Sequence, residues 1–402
     1  MRILMINNHI DFGGGGDAVF RLERAAYEEA GHEVFTFSQH IEKPEYQKTT
    51  DFVAFESKKK ALRKIGKFLY APRIAQSFKN TLRMVQPHFV SVHLISKYPL
   101  SIYPFLQGYP VVQTLHGPNL FCATGWGRTK SGKPCELGIG LKCYLRGCLP
   151  ISDALLYIVL SRRLLMHVKR NVDLFICPSE NIRDSSESNG LIPTRFVPLG
   201  IDESFVDIQR ATHDGPPIVL YVGALAVQKG LMVLLDAFNL VAEKVPEANL
   251  LIAGRGSLEK ELHKKTKRME LSDKVKFIGF VSRSQIADLY RRTQVVVVPS
   301  IWNEQFGLVG PEALACGVPC VGSDVGGIPE WLHDGDWGFI VPPGDARALA
   351  DRIIALLEDR KLRSEFGKKG REYVVKQYNP DKYKKNRMRL LTEYSIGYQP
   401  SM

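Results

Sequence analysis

Four short apolar runs in the second half of this chain, Ile218–Val222, Asn249–Ala253, Val275–Ile278 and Gln294–Val298, recur with helix-like stretches between them. They are short apolar runs, the third interrupted by Lys276, and read as strands buried on both faces. Strands of that kind, separated by helices, pair in parallel, because a parallel pair needs a crossover. The stretch after the first run places Leu231, Leu234, Leu235, Phe238 and Val241 on one helical face. The first half repeats the alternation with Arg2–Ile6, Glu33–Phe37, Phe89–His93, Val111–Leu115 and Asp173–Cys177. A helix over about 17–30 stops at Gly31, a residue suited to a helix C-terminus. A chain of 402 residues is too long for one ordinary core. The expectation is therefore two doubly wound α/β domains. The pattern breaks near Val197–Pro217, at Pro198, Gly200 and Gly215-Pro216-Pro217. Ligands of doubly wound sheets bind beyond the carboxyl ends of the strands. Two such domains facing each other would make a cleft.

Composition narrows the class. Hydrophobic residues are 45% and charged residues 24%, an ordinary globular balance. No run of 18 apolar residues occurs, so no membrane span is expected. Arg2–Ile6 is too short and too quickly interrupted for a secretory signal, so the expectation for the seven cysteines is a reducing, cytoplasmic setting without disulfides. The net charge of +12 is uneven: residues 1–200 hold 26 Lys and Arg against 16 Asp and Glu, and residues 201–402 hold 28 against 26. A basic half fits nucleic acid, anionic lipid or an acidic ligand. No zinc-finger, helix-turn-helix or RNA-binding signature accompanies it, so nucleic acid is set aside.

The densest motif is residues 300–319, directly after the run Gln294–Val298. There Glu304 lies in a loop, Phe306-Gly307-Leu308-Val309 follows, and Glu312 opens a helix that leads to Ala315-Cys316-Gly317-Val318-Pro319. Carboxylates accept hydrogen bonds from paired sugar hydroxyls. Gly307 permits close backbone approach, and N–H groups at a helix start attract phosphate. In isolation two such glutamates are more often a dipole partner and a solvated loop acid; the surrounding pattern favours the ligand reading.

Other segments carry weaker signals. Gly13-Gly14-Gly15-Gly16 lies between the first strand and first helix, where Gly15 and Gly16 let backbone reach a phosphate or sugar. It lacks the dinucleotide spacing. Asn8, His9 and Asp11 lie near that loop as acceptor-binding candidates. Cys122, Cys135, Cys143 and Cys148 cluster after His116 without the Cys-x2-Cys knuckles of common zinc sites. Structural zinc and free or redox-active thiols both remain open for them. Residues 57–83 contain nine Lys or Arg and no acid, with Leu62, Ile65, Phe68 and Leu69 interleaved. Such a segment suits either an anionic membrane surface or a solvated helix with its apolar side in the core.

The motifs together resemble the retaining, GT-B-fold glycosyltransferases of family 4 (glycosyl transferases group 1). Their hallmark is a pair of glutamates with seven residues between them and an Ala-x-Gly-x-Pro turn, matched by Glu304, Glu312 and Ala315–Pro319. Tyr221–Gly230, Leu251–Gly256, Phe277–Val281, Ser323–Glu330 and the linker Val197–Asp202 match further family segments in order. The second half is covered almost completely, the first more loosely. The resemblance implies an acceptor domain over 1–198, a donor domain over 199–378, and a last helix within 379–402 crossing back to the first. It implies that Glu312 binds ribose hydroxyls and Glu304 sugar hydroxyls, with backbone N–H groups of Leu308 and Val309 and the Lys229 ammonium on the diphosphate. Phe280 and Val281 would flank the base, with Gly223, Phe306 and Gly307 lining the donor site. His116, in Thr114-Leu115-His116-Gly117, would reach the reacting sugar. Family members often carry arginine where this chain has Ala224, and Arg255 is the candidate replacement. No catalytic metal is implied. The donor would be a UDP-, GDP- or ADP-sugar and the acceptor a glycan or lipid-linked hydroxyl, in surface polysaccharide or glycolipid assembly at the inner face of a membrane. The alternatives are a GT-B nucleotide-sugar epimerase and a silent membrane- or polyanion-binding protein.

Overall fold

The structure is a computed structural model that describes residues 1–8, 15–38, 51–53, 70–95, 98–122, 127, 129, 135, 138–208 and 215–395. Side chains of 152–156 are excluded from that description. Residue contacts divide the chain into two units, Met1–Pro198 with Asp381–Met402, and Leu199–Pro380.

The first unit is built on a seven-stranded parallel sheet: β1 (Arg2–Asn7), β2 (Glu33–Ser38), β3 (Phe52–Val53), β4 (Phe89–Val92), β5 (Val111–Thr114), β6 (Leu174–Cys177) and β7 (Thr194–Phe196), in the order β3-β2-β1-β4-β5-β6-β7. β4, β5 and β6 are buried along their whole length, which is why their sequences do not alternate apolar with polar residues; the polar side chains they carry, Ser91, Gln113 and Thr114, are buried too. The helix Gly15–Glu29 turns Val19, Phe20, Glu23, Ala26 and Tyr27 inward. One of these five is an acid, and it needs a buried partner. The last helix, Pro380–Ser395, belongs to this unit. It buries Tyr383, Arg387, Leu390 and Leu391. At its rim Arg195 makes a bidentate pair with Glu393 at 2.7 Å, and Lys384 meets Glu29 at 2.9 Å.

The second unit has a six-stranded sheet: β8 (Ile218–Val222), β9 (Asn249–Ala253), β10 (Val275–Gly279), β11 (Val295–Val298), β12 (Cys320–Ser323) and β13 (Gly338–Val341), ordered β10-β9-β8-β11-β12-β13 and parallel throughout. The helix Leu231–Lys244 buries the apolar face expected of it. The doubly wound α/β class expected for each half is the fold observed. Four strands escaped the sequence reading: β3, β7, β12 and β13. β3 has two residues and β7 three. β12 and β13 include small residues, Gly322, Ser323 and Gly338, that dilute the apolar signal. A Cβ at Gly338 would run into the Cys320 carbonyl and Leu332, and one at Gly322 would press on the side chains of Leu332 and Ile328.

In both sheets the order reverses beside the first strand, between β1 and β4 and between β8 and β11. Such a switch point opens a crevice at the carboxyl edge of the sheet. Among the described residues no helix is long and apolar enough to cross a membrane.

Candidate functional site

At the switch point of the second sheet, the loops leaving β8 and β11 are tied together. Ile301 N–H donates to the Gln228 carbonyl at 2.9 Å. Gly230 has φ 72°, and a Cβ there would strike the Pro299 carbonyl, so only glycine closes this turn. The turn delivers Lys229, whose Nζ donates to Oε2 of Glu304 at 2.6 Å and lies 5.1 Å from the Trp302 ring centre. Oε2 also accepts from Ser300 Oγ and Trp302 Nε1, each at 2.8 Å. Glu304 is 6% exposed. Burial alone would raise its pKa, but the Lys229 ammonium and these donors outweigh it and hold the carboxyl below its usual range. The pair therefore consists of a fixed carboxylate and a fixed ammonium.

Glu312 sits in the helix Val309–Ala315 and is 3% exposed. Its Oε1 accepts from Nη2 of Arg283 at 2.9 Å, while Nε of Arg283 donates to Oδ2 of Asp202, also at 2.9 Å. Arg283 begins the helix Arg283–Arg292, which Ser282 and Gln285 close with a capping box. The sequence reading missed Arg283. The capping signature Ser282-x-x-Gln285 was legible, but nothing local marks which acid an arginine will reach.

The remaining donor-side candidates divide by burial. Phe280 is 57% exposed at the end of β10, with Val281 half-buried beside it. Arg255 is exposed at the end of β9, with its Nε 3.9 Å from the Cβ position of Gly279. Gly223 ends β8, its N–H bonded to the Ala253 carbonyl. Gly307 takes φ 79° and leads into Leu308 and Val309, which open the helix carrying Glu312. Phe306 is 2% exposed and packs edge-on against Tyr378 at 5.0 Å. Its carbonyl accepts from Trp331 Nε1, so the ring anchors the loop in the core.

In the first unit, Asn8 and His93 follow β1 and β4 at the switch point, and His116 follows β5. Asn8 is 4% exposed, and its carbonyl accepts from Ser38 Oγ. Nε2 of His116 lies 2.9 Å from Nδ1 of His93, with the two rings nearly parallel. On the other side a Cβ on Gly16 would sit 3.4 Å from Nδ1 of His116. Burial above all pushes the His116 pKa down to about 3, so its ring is neutral. Gly15 precedes Gly16 at the exposed start of the first helix. His9 and Asp11 lie outside the described residues, as do residues 57–69 of the basic segment. The helix Pro72–Val85 holds the rest of that segment and buries Ile74, Ala75, Phe78, Thr81, Leu82 and Val85.

All seven cysteines are free. Burial, and then the charges of Cys135, Cys148 and Cys122, raise the Cys143 pKa. Yet among the described residues no three His, Cys, Asp or Glu side chains converge as a metal site. The zinc expectation finds no support in this geometry; Cys135 Sγ instead accepts from Arg146, and Cys122 Sγ from the Gly127 N–H.

Comparison with known proteins agrees with this architecture. Residues 12–205 match the family model Glycosyltransferase Family 4, and residues 204–373 match Glycosyl transferases group 1. N-acetyl-alpha-D-glucosaminyl L-malate synthase of Bacillus anthracis is 34% identical over 41% of this chain and 42% of its own. Phosphatidyl-myo-inositol mannosyltransferase of Mycobacterium leprae (strain TN) is 38% identical over 40% of this chain and 42% of its own. The matches thus span less than half the length of these relatives. Among solved structures, sucrose-phosphate synthase from Thermosynechococcus elongatus superposes with a TM-score of 0.74 at 22% identity, covering 98% of both chains. Anabaena HepE, solved with UDP and glucose, gives 0.71 at 19% identity over 98% of this chain and 100% of its own. These likenesses establish the GT-B fold. With one family model on each half of a chain so folded, the protein belongs to the group 1 glycosyltransferases.

Proposed function

We propose that this protein moves a sugar, with retention of configuration, from a nucleoside-diphosphate sugar to a hydroxyl of a glycan or lipid-linked acceptor. The observation that carries the reading is the Lys229–Glu304 pair at the switch point of the second sheet. The three hydrogen bonds to Glu304 converge on Oε2, which leaves Oε1 for a sugar hydroxyl. A preorganised ammonium beside that carboxylate stabilises charge as the diphosphate departs. N–H groups of Leu308 and Val309 assist it. Glu312 holds the ribose while Arg283 orients its carboxylate. The exposed Phe280 offers a face to the base, with Val281 at its edge, and Arg255 supplies the second cation that Ala224 does not. Gly223 and Gly307 line the same site.

In the reaction the anomeric C–O bond to phosphate breaks and its electron pair leaves with the nucleotide. The acceptor oxygen bonds to the same face of the anomeric carbon, and its proton passes to the departing phosphate oxygen. His116 accepts a hydrogen bond from a sugar hydroxyl. Asn8, His9 and Asp11, with Gly15 and Gly16, are assigned to acceptor and sugar contacts. HepE's complexes with UDP and UDP-glucose make a UDP-sugar the first donor to try. The relatives' names, which include a phosphatidylinositol mannosyltransferase, support an acceptor in glycolipid or surface polysaccharide assembly. The basic stretch 57–83 fits contact with the anionic inner face of a membrane.

The test follows nucleotide release from UDP-, GDP- and ADP-sugars with and without acceptor lipids or glycans, after ranking the donors by thermal shift. Release that requires acceptor supports transfer. Epimerised or free sugar without acceptor would make the chain an epimerase, and no donor binding at all would leave a non-enzyme.

A further inference from the structure

Behind His116 lies a buried chain of polar groups that the transfer reaction does not itself use. Glu23 and Arg387 are both fully buried and joined in an ion pair. Oε1 of Glu23 also accepts from Tyr27 OH at 3.0 Å and Ser91 Oγ at 2.5 Å. Its other oxygen, Oε2, accepts from Tyr383 OH at 3.4 Å and faces Nε2 of His93 at 3.2 Å, close but off the line of a well-aligned hydrogen bond. Burial would raise the Glu23 pKa, but Arg387, His93 and Ser91 outweigh it and hold it well below the usual carboxylate range. Glu23 is therefore an acceptor only. His93 is 1% exposed and pinned edge-on by Phe20 at 4.9 Å. Its Nδ1 meets Nε2 of His116 at 2.9 Å.

Donors and acceptors along this line fix the protons. An ionised carboxylate tolerates only a protonated nitrogen, so His93 carries its hydrogen on Nε2. Glu23 and Arg387 cancel in charge, and with its one hydrogen on Nε2 His93 keeps a lone pair on Nδ1. The short contact to His116 then needs the hydrogen on Nε2 of His116. The hydrogen bond made by one ring nitrogen decides the state of the other. We propose that His93, held by Glu23, is a positioning residue that fixes His116 as its Nε2–H tautomer, so that the bare Nδ1 beside Gly16 accepts a hydrogen bond from a ligand hydroxyl. This inference rests on the assignment of His116 to the reaction.

The decisive measurement is the nitrogen spectrum of protein labelled with 15N-histidine, with the His116 signals identified by their loss in His116→Asn. The expected pattern is a protonated Nε2 and a bare Nδ1 in the native protein. His93→Phe keeps the ring volume but removes the acceptor, and the His116 signals should shift to a mixture of tautomers. His93→Asn, which keeps an acceptor near the Nδ1 position, should restore the native pattern. In the transfer assay His93→Phe should lower kcat about 10–100-fold, the size usual when an outer-shell partner of a functional histidine is lost. The donor KM should stay unchanged and His93→Asn should recover part of the rate. A native His116 protonated on Nδ1, or a tautomer that persists in His93→Phe, overturns the proposal. The native spectrum needs no variant to fold and no donor to be known. If it shows the expected tautomer while no sugar is transferred, the fault lies with the proposed reaction and not with the relay.

Discussion

Lys229 and Glu304, 75 residues apart in sequence, share a 2.6 Å hydrogen bond between Nζ and Oε2. The ammonium is one of the groups that keep this buried carboxyl ionised. Replacing Lys229 with methionine removes the charge but keeps the stem. The Glu304 pKa should then rise, because burial remains and its main opponent is gone. In the wild type Glu304 stays charged down through the ordinary carboxylate range, so kcat/KM should show no acid limb from it near neutrality. In Lys229→Met the acid limb should move to higher pH, and kcat should fall by at least 100-fold through loss of charge stabilisation. A pH–rate profile of both proteins checks the sign; an unmoved acid limb contradicts it.

Gly326 governs the same loop from behind. Its φ is 58°, and a Cβ there would collide with the Glu304 carbonyl, to which Gly327 N–H already donates at 2.8 Å. Alanine at 326 must therefore push the Glu304 loop outward. Donor binding should weaken at least tenfold in calorimetry, with a lowered Tm. Gly335→Ala serves as the control: its φ of 78° carries similar backbone strain, but nothing lies within 4 Å. It should affect stability alone.

Arg283 holds Glu312 and Asp202 at once. In Arg283→Ala, Glu312 keeps its burial and loses its guanidinium partner. A hydrogen bond to a charged group contributes about 1.5–3 kcal/mol, and a shift in the urea midpoint at constant slope would report its loss. Nucleotide affinity should fall as well, because the carboxylate assigned to ribose is no longer oriented. Arg283→Lys should recover little of either, since one ammonium cannot serve both acids in the geometry of a fork.

Phe280 provides the opposite case. It is 57% exposed and supports no core. Phe280→Ala should leave the urea midpoint within about 0.5 kcal/mol of wild type. If the ring stacks on the base, nucleotide affinity should fall by about two- to tenfold, corresponding to roughly 0.5–1.5 kcal/mol for an aromatic pair. Equal affinity for free phosphate-bearing ligands in both proteins would localise the loss to the base.

The sequence made the second unit legible because most of its strands are apolar runs and its ligand loops fall directly after them; β10, expected to be buried on both faces, is an edge strand that alternates buried and more exposed residues. Glu304 and Lys229 could be named as site candidates from their places in the motif; their direct contact could not. Phe306 was named with them, yet it packs against Tyr378 as a core residue. An aromatic next to a functional glycine carries no sign of which way it turns. The buried network of the first unit was missed, although a clue was present. Glu23 falls on the same helical face as Val19, Phe20, Ala26 and Tyr27, and Arg387 on the same face as Tyr383, Leu390 and Leu391. A charge on an apolar face predicts a buried partner of opposite sign. It does not identify that partner across 364 residues. His93 looked like the end of a strand for the same reason.

The Glu23–Arg387 pair should also dominate the acid stability of the first unit. The folded pKa of Glu23 lies well below that of an unfolded glutamate, about 4.3. A group depressed in this way contributes its stability in full above the unfolded value and loses it as pH falls through the folded one. Glu23→Gln leaves Arg387 buried without its counter-ion, which costs about 3–5 kcal/mol when a buried pair is broken. Glu23→Leu combined with Arg387→Met removes both charges and should regain part of that loss, the remainder being the acceptor that Tyr27, Ser91 and Tyr383 lose with Glu23. Urea unfolding at neutral pH should therefore place the double variant between wild type and Glu23→Gln. As pH drops below about 4, wild type should lose the contribution of Glu23 while the double variant, which never had it, should not. Parallel acid profiles for the two proteins would show that this carboxyl is not ionised in the fold, and would remove the basis for the His93 relay as well.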